Sequence, residues 1–341
     1  MKQRHLLPGC YVLLFIGLLS PTVARAADIT QQLHRPVSNS SRRQSREEAD
    51  TLLRIGEEQY ASGFADKAVT SGLSALEIYH AIGDLKAQGL TYDLLGMSYI
   101  QLNLLKEGED VLRRRLAIAR DTKDFQAQIF GLNNISTLLL QKGEPIAAGK
   151  TSEEALTIAR HVKNIEGEGL SLNNLGLAAV RVGEHNKAIK LYETALTFRR
   201  QTGDSFGEAN TLNNLGDAYL EARNYQDTIG TYGAAMRIAE ANGDRTNQLR
   251  AIDGLVIAHS AVGRYQRAFD LLKQRLTIAQ ELQNLREELK SFESYAHLYE
   301  QLSDYPTARN FYERAIVLAR TLGDSKEEVQ LIDRLTQMLK R

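Results

Sequence analysis

One spacing governs this chain. The pairs Gly83-Asp84, Lys123-Asp124, Lys163-Asn164, Gly203-Asp204, Gly243-Asp244, Gln283-Asn284 and Gly323-Asp324 recur every 40 residues with no insertion between them. A constant period of roughly 20–50 residues marks an array whose units stack on their neighbours. The repeated part of this 341-residue chain is therefore expected to form one elongated body, not two ordinary globular domains.

Each unit carries two helical stripes. In the first, Leu172, Leu175 and Gly176 are matched by Leu132, Ile135 and Ser136 and by Leu212, Leu215 and Gly216, with Tyr219 beyond; apolar residues at this spacing share one helix face. A glycine-centred turn follows at Gly143, Gly183 and Gly263. The second stripe holds Ala188, Tyr192, Ala195 and Leu196, matched by Tyr232, Ala235 and Met236 one unit later. Small residues at 176, 188 and 195 allow close approach of the two helices. Neither pair buries its apolar face alone, so stacking is obligatory.

The run Leu172-x-x-Leu175-Gly176, then Gly183, Ala188, Tyr192 and Ala195, resembles the tetratricopeptide repeat, with Leu172 where an early Trp is usual. The longer period and the Leu-Asn-Asn-Leu-Gly segments at 172–176 and 212–216 are similar to the repeats of kinesin light chains, Pins-type polarity proteins and bacterial, notably cyanobacterial, chains. The resemblance implies an all-α, right-handed superhelical solenoid. Seven repeats are expected over 45–324, with 325–341 as a capping helix carrying Val329, Ile332, Leu335 and Leu339. Gly108, Leu112 and Arg115 in repeat two, and Val256 with His259 in repeat six, depart from the pattern, so these two units are expected to be less regular.

Ahead of the array, Lys2, Arg4 and His5, the apolar run Tyr11 to Leu19 and the small-x-small motif Ala24-Arg25-Ala26 read as a signal peptide over 1–26. Residues 27–44 read as a flexible linker, rich in Ser, Gln and Arg without apolar period. Cleavage would remove Lys2, Arg4, Arg25 and the sole Cys10, leaving 39 basic against 42 acidic groups. Export, to a periplasm or to a thylakoid lumen in a photosynthetic host, is the expectation. The near-balanced charge argues against a nucleic-acid partner.

No catalytic constellation is present: there is no His-Glu-x-x-His, Gly-x-Ser-x-Gly or phosphate-loop motif, and the histidines fall at no ligand spacing. The reading is of a protein that is not an enzyme and needs no cofactor or metal. Function then belongs to a surface. With Leu172 toward the core and about 100° per residue, Leu170, Asn174, Leu177 and Arg181 point away from it, and in the resembling family that face lines a concave groove. Asn134, Asn174 and Asn214 share one register position, flanked by Asn133, Asn173 and Asn213. An amide donates and accepts, so the first row is expected to bond the backbone of an extended peptide and the second to bridge helices. Leu90, Leu94, Met97, Phe130, Leu170 and Leu177 make the N-terminal half of this face apolar; Asp217, Glu221, Arg250, Asp253, Lys290, Glu293 and His297 make the C-terminal half charged. The expected function is a scaffold for a protein or peptide partner, in assembly of an envelope or membrane complex; the alternative is a sensory or regulatory adaptor for a separate effector. Oligomeric state is left open by the sequence.

Overall fold

The structure, a computed structural model, describes residues 39–340. Fifteen helices follow one another among them: α1 (Asn39–Ala61), α2 (Ala65–Ile82), α3 (Leu85–Gln101), α4 (Leu105–Asp121), α5 (Phe125–Gln141), α6 (Pro145–His161), α7 (Ile165–Arg181) and α8 (His185–Thr202). The series continues with α9 (Ser205–Glu221), α10 (Tyr225–Ala241), α11 (Arg245–Ala261), α12 (Tyr265–Glu281), α13 (Leu285–Gln301), α14 (Tyr305–Thr321) and α15 (Ser325–Leu339). Odd-numbered helices are the first, or A, helices of their repeats and even-numbered ones the second, or B, helices. Each packs on the next, giving the expected all-α repeat solenoid.

The recurring Gly-Asp pair has a geometric cause. Its first residue adopts the left-handed conformation that ends a B helix: Gly83 has φ 70°, and the following amide of Asp84 donates to the Tyr79 carbonyl at 3.0 Å. Its second residue caps the next A helix. The side chains of Asp84, Asp124, Asn164, Asp204, Asp244, Asn284 and Asp324 accept from the backbone N–H three residues on, at 2.8–3.2 Å.

Left-handed residues recur twice as often as that pair. Positions 63, 83, 103, 123 and so on to 323 all have positive φ, so the turn within a repeat and the turn between repeats share one design and the backbone repeats every 20 residues. Six of these positions are not glycine: Asn103, Lys123, Lys163, Arg223, Gln283 and Ser303. Side-chain capping after the A-to-B turn is present only at Asn224 and Asp304, while Phe64, Leu104, Glu144, Glu184 and Arg264 stand at the same place without it.

Small residues in the A helices receive tyrosines from the B helices. Tyr192 fills the space over Gly176, and Tyr232 lies between Gly216 and Gly254, where an added Cβ would overlap its ring. Both tyrosines, with Tyr79 and Tyr312, are fully buried, and burial pushes all four phenols well above the ordinary range.

Three boundaries and irregularities differ from expectation. Helix α1 begins at Asn39, so the last six residues of the expected linker are helical. Both helices of repeats two and six are uninterrupted, because the departing residues pack: Gly108 and Leu112 are buried, Val256 and His259 are buried, and Arg115 turns inward to an aspartate described below. The two arginines before it, Arg113 and Arg114, stay outside, paired with Glu109 and Asp110 one turn back. Helix α15 covers the last repeat with Leu331 and Met338 and, in part, Leu335, leaving Val329, Ile332 and Leu339 of the expected capping set exposed. The expected signal peptide and residues 27–38 of the linker lie outside the described residues. Among the described residues no helix is long and apolar enough to cross a membrane.

Candidate functional site

The A helices form the inner wall. Helices α5, α7, α9 and α11 approach one another directly, whereas successive B helices do not pack closely together; the layer with the tighter spacing is the concave one. On each A helix one stripe faces the open side. It carries Leu90 and Met97 on α3, Phe130, Asn134 and Thr137 on α5, Leu170 and Leu177 on α7, Asn210 and Asp217 on α9, and Arg250 and Ile257 on α11, all exposed or half-buried.

Several sequence-derived residues fall elsewhere. Leu94 is buried, its methyl groups pressed toward Gly56 and Gly72 of the preceding repeat. Arg181 and Glu221, at the last turns of α7 and α9, are exposed, and Glu221 lies 3.1 Å from Nδ1 of His185. Asn174 and Asn214 are only 4% and 3% exposed. A helical wheel registers the partner B helix but not the neighbouring A helix, and it is the latter that covers them.

Both asparagine rows form one zip between repeats. Asn174 Nδ2 donates to the Asn133 carbonyl at 3.2 Å and to its Oδ1 at 3.1 Å. One repeat on, Asn214 Nδ2 donates to Asn173 Oδ1 at 2.9 Å. Asn133 also donates to Ser171 Oγ at 2.9 Å, and Asn213 to the carbonyl and Oδ1 of Asn247, each at 3.1 Å. Asn134 has no such partner. The place of Asn133 and Asn173 is taken one repeat earlier by Asp93, whose carboxylate is held by Arg115 at 2.8 Å. Asn134 is therefore half-buried with its amide free toward the groove. Replacing Asn174 or Asn214 by Ala is expected to cost about 1–3 kcal/mol each, because the opposing amide loses its partner in a buried place. The same change at Asn134 should stay within about 0.5 kcal/mol. Urea denaturation of the three single variants checks this order, the reverse of a ligand-only role for the row.

Beyond the zip the wall becomes ionic. Tyr232 Oη donates to Asp217, whose carboxylate also accepts from Arg250, and Arg250 Nη2 donates to Asn214 Oδ1 at 2.7 Å. Arg250 thus ties repeats five and six across the groove floor. Two exposed apolar residues were missed by the sequence reading. Phe206, one turn before Asn210, is 57% exposed, and Ile257, at the register of Leu177, is 52% exposed. Register equivalence to Leu177 was the available signal for Ile257. No cluster of three or more metal-ligating side chains occurs among the described residues.

Family models of the tetratricopeptide repeat match residues 128–201, 207–281 and 291–326, together more than half of the chain. The chain belongs to the tetratricopeptide-repeat (TPR) family. Among solved structures, the apo form of RapI superposes with TM-score 0.61 at 15% identity, over 81% of this chain and 99% of that one. A Rap protein complexed with Competence and Sporulation Factor gives 0.57 at 13% identity, over 88% and 98%. A signal-transduction ATPase with a TPR sensor, PH0952 from Pyrococcus horikoshii, gives 0.57 at 19% identity, over 88% of this chain and 43% of that one. At these identities the likeness is one of fold. No curated protein matches the chain in sequence. A TPR solenoid is a protein-interaction scaffold, and that much holds for this chain.

Proposed function

We propose that this TPR solenoid is an exported scaffold that holds an extended segment of a partner protein along its concave wall, in the assembly of an envelope or membrane complex. The observation that carries the groove reading is the stripe of exposed and half-buried apolar side chains, Leu90, Met97, Phe130, Leu170 and Leu177, on three successive A helices. Such residues at constant register give a peptide alternate side-chain pockets, and the free amide of Asn134 supplies a bond to its backbone. The complex of a Rap protein with Competence and Sporulation Factor supports occupation of this fold by a ligand. Export rests on the basic, apolar and small-x-small segments of residues 1–26.

The experiment is a cross-linked pull-down from the native cell envelope, comparing the wild-type chain with Phe130→Ala/Leu170→Ala. Two truncated anchors at about 1–2 kcal/mol each weaken capture on the order of 30- to 1000-fold. Undiminished capture by the double variant rejects the groove, and a native chain that still begins at Met1 by mass spectrometry rejects export. A membrane-complex subunit in the eluate supports assembly. A kinase or other effector enzyme there supports instead the adaptor reading, which the sensor role of the TPR part in PH0952 favours.

A further inference from the structure

Repeats two and six share a substitution that the groove account does not use. Seven B helices place Ala75, Arg115, Ala155, Ala195, Ala235, Arg275 and Ala315 at one register, so two arginines replace the alanine that elsewhere lets helices close. Each arginine meets an aspartate of its own repeat at the register of the asparagine zip, Asp93 for Arg115 and Asp253 for Arg275. Arg275 is 1% exposed, and all five of its N–H groups are occupied: Nε and Nη2 by Asp253, Nη2 also by Glu287 Oε2 at 2.9 Å, and Nη1 by the Glu287 carbonyl and Ser291 Oγ, each at 2.7 Å. The guanidinium sits beneath α11 and α13, where the middle repeats have A helices in direct contact. Here α11 and α13 do not make such close contact, and the guanidinium bonds to both.

A cleft of about 330 Å³ opens above it, lined on the α11 side by Asp253, Val256 and Ile257 and on the α13 side by Glu293, His297 and Leu298. That is the low end of ligand-site volumes, which run from roughly 300 to 1,000 Å³. The room suits one long side chain. Two carboxylates, Asp253 and Glu293, and two cations, Arg275 and Lys290, line the cleft, and both cations are also bonded to Glu287, which stands outside the lining. The cations are already engaged: Lys290 donates to Glu287 at 2.8 Å. The Asp253 and Glu293 side chains stay 40% and 33% exposed, the first accepting from Arg275 and the second with His297 Nε2 3.6 Å from its Oε1, and Val256, Ile257 and Leu298 supply aliphatic surface between them.

We infer that this cleft takes a basic side chain, lysine or arginine, from the segment bound in the groove. Its stem lies on Val256, Ile257 and Leu298 and its head between Asp253 and Glu293, so the bound segment has an apolar stretch toward repeats two to four and a cationic anchor at repeats six and seven. An anionic side chain would have only Lys290 to meet here, and Lys290 is already bonded to Glu287. The inference rests on the groove reading and adds the anchor's chemistry and place.

The test is selection of random 12-residue peptides displayed on phage against the mature full-length chain, followed by fluorescence anisotropy with the recovered peptides. Binding is measured to wild type, Phe130→Ala and Glu293→Lys, with thermal melts to confirm that each variant is folded. Expected are peptides carrying Lys or Arg whose affinity falls about tenfold or more on Glu293→Lys. An Arg→Glu form of the same peptide should bind Glu293→Lys better than wild type, a charge-swap rescue that a merely structural Glu293 would not produce. Peptides that lose affinity on Phe130→Ala but ignore Glu293→Lys overturn the anchor and leave the groove standing. Loss on Glu293→Lys alone supports the anchor and rejects the groove. Acidic recovered peptides, or none, overturn the anchor.

Discussion

Arg275→Ala is expected to lower the unfolding free energy by about 3–5 kcal/mol, the cost of breaking a buried ion pair by removing one partner. The side chain touches solvent almost nowhere, and five bonds to three residues of two helices end with it. Asp253 is left with its carboxyl already pushed up by burial, against the pull of Arg275, and that opposing pull is gone. Glu287, which burial raises but Lys290 and Arg275 together hold below the ordinary range, keeps only Lys290. Because repeats contact chiefly their neighbours, the damage stays local. Hydrogen exchange should show residues 245–340 losing protection well before 85–220. The double change Arg275→Met/Asp253→Asn should recover much of the loss, since an apolar replacement without an abandoned charge is tolerated. Uniform loss along the chain in Arg275→Ala contradicts this account.

The second large effect is expected at Tyr232. Its ring is buried between Gly216 and Gly254, two glycines that exist at these places to admit it, and its hydroxyl donates to Asp217. Tyr232→Ala empties that space and should cost about 3–5 kcal/mol, as other buried aromatics do. Tyr232→Phe keeps the packing and loses one hydrogen bond to a charged group, about 1.5–3 kcal/mol. Thermal and urea unfolding separate the two. The consequence for the groove differs as well: Asp217 in Tyr232→Phe still holds Arg250, so partner capture should survive, whereas in Tyr232→Ala the floor between repeats five and six loosens. Equal loss in both variants would place the contribution in the hydroxyl, against the role given to the ring.

The helix pairs and their order were legible in the 40-residue pattern; that its Asp or Asn caps each A helix came from the structure. The finer 20-residue period was not legible. The A-to-B turns reach the same backbone geometry with Asn103, Gly143, Arg223 or Ser303 followed by Leu104, Glu144, Asn224 or Asp304, and residues so unlike each other conceal a common φ. The burial of Asn174 and Asn214 was hidden for a different reason: a single helix shows which side meets its partner, not which flank its neighbour closes over. Arg115 read as a departure in the second helix of repeat two, and Arg275, at the same register of repeat six, drew no notice in the sequence. The sign that each has a place was an aspartate in the asparagine row 22 residues earlier, Asp93 and Asp253, a pairing visible only once the two rows are laid side by side.

The shared turn geometry makes the identity of each helix a matter of side chains alone. Because left-handed residues stand 20 apart from Gly63 to Gly323, excising any 40-residue stretch between equivalent turns rejoins like to like and yields a shorter wall with the same inner and outer surfaces. Excising 20 residues rejoins the backbone equally well. It would, however, turn every later helix inside out, presenting the tyrosines and alanines of the outer layer to the groove and burying its leucines and asparagines on the convex side. The backbone tolerates either length; the chain's sense of inside and outside tolerates only the longer one.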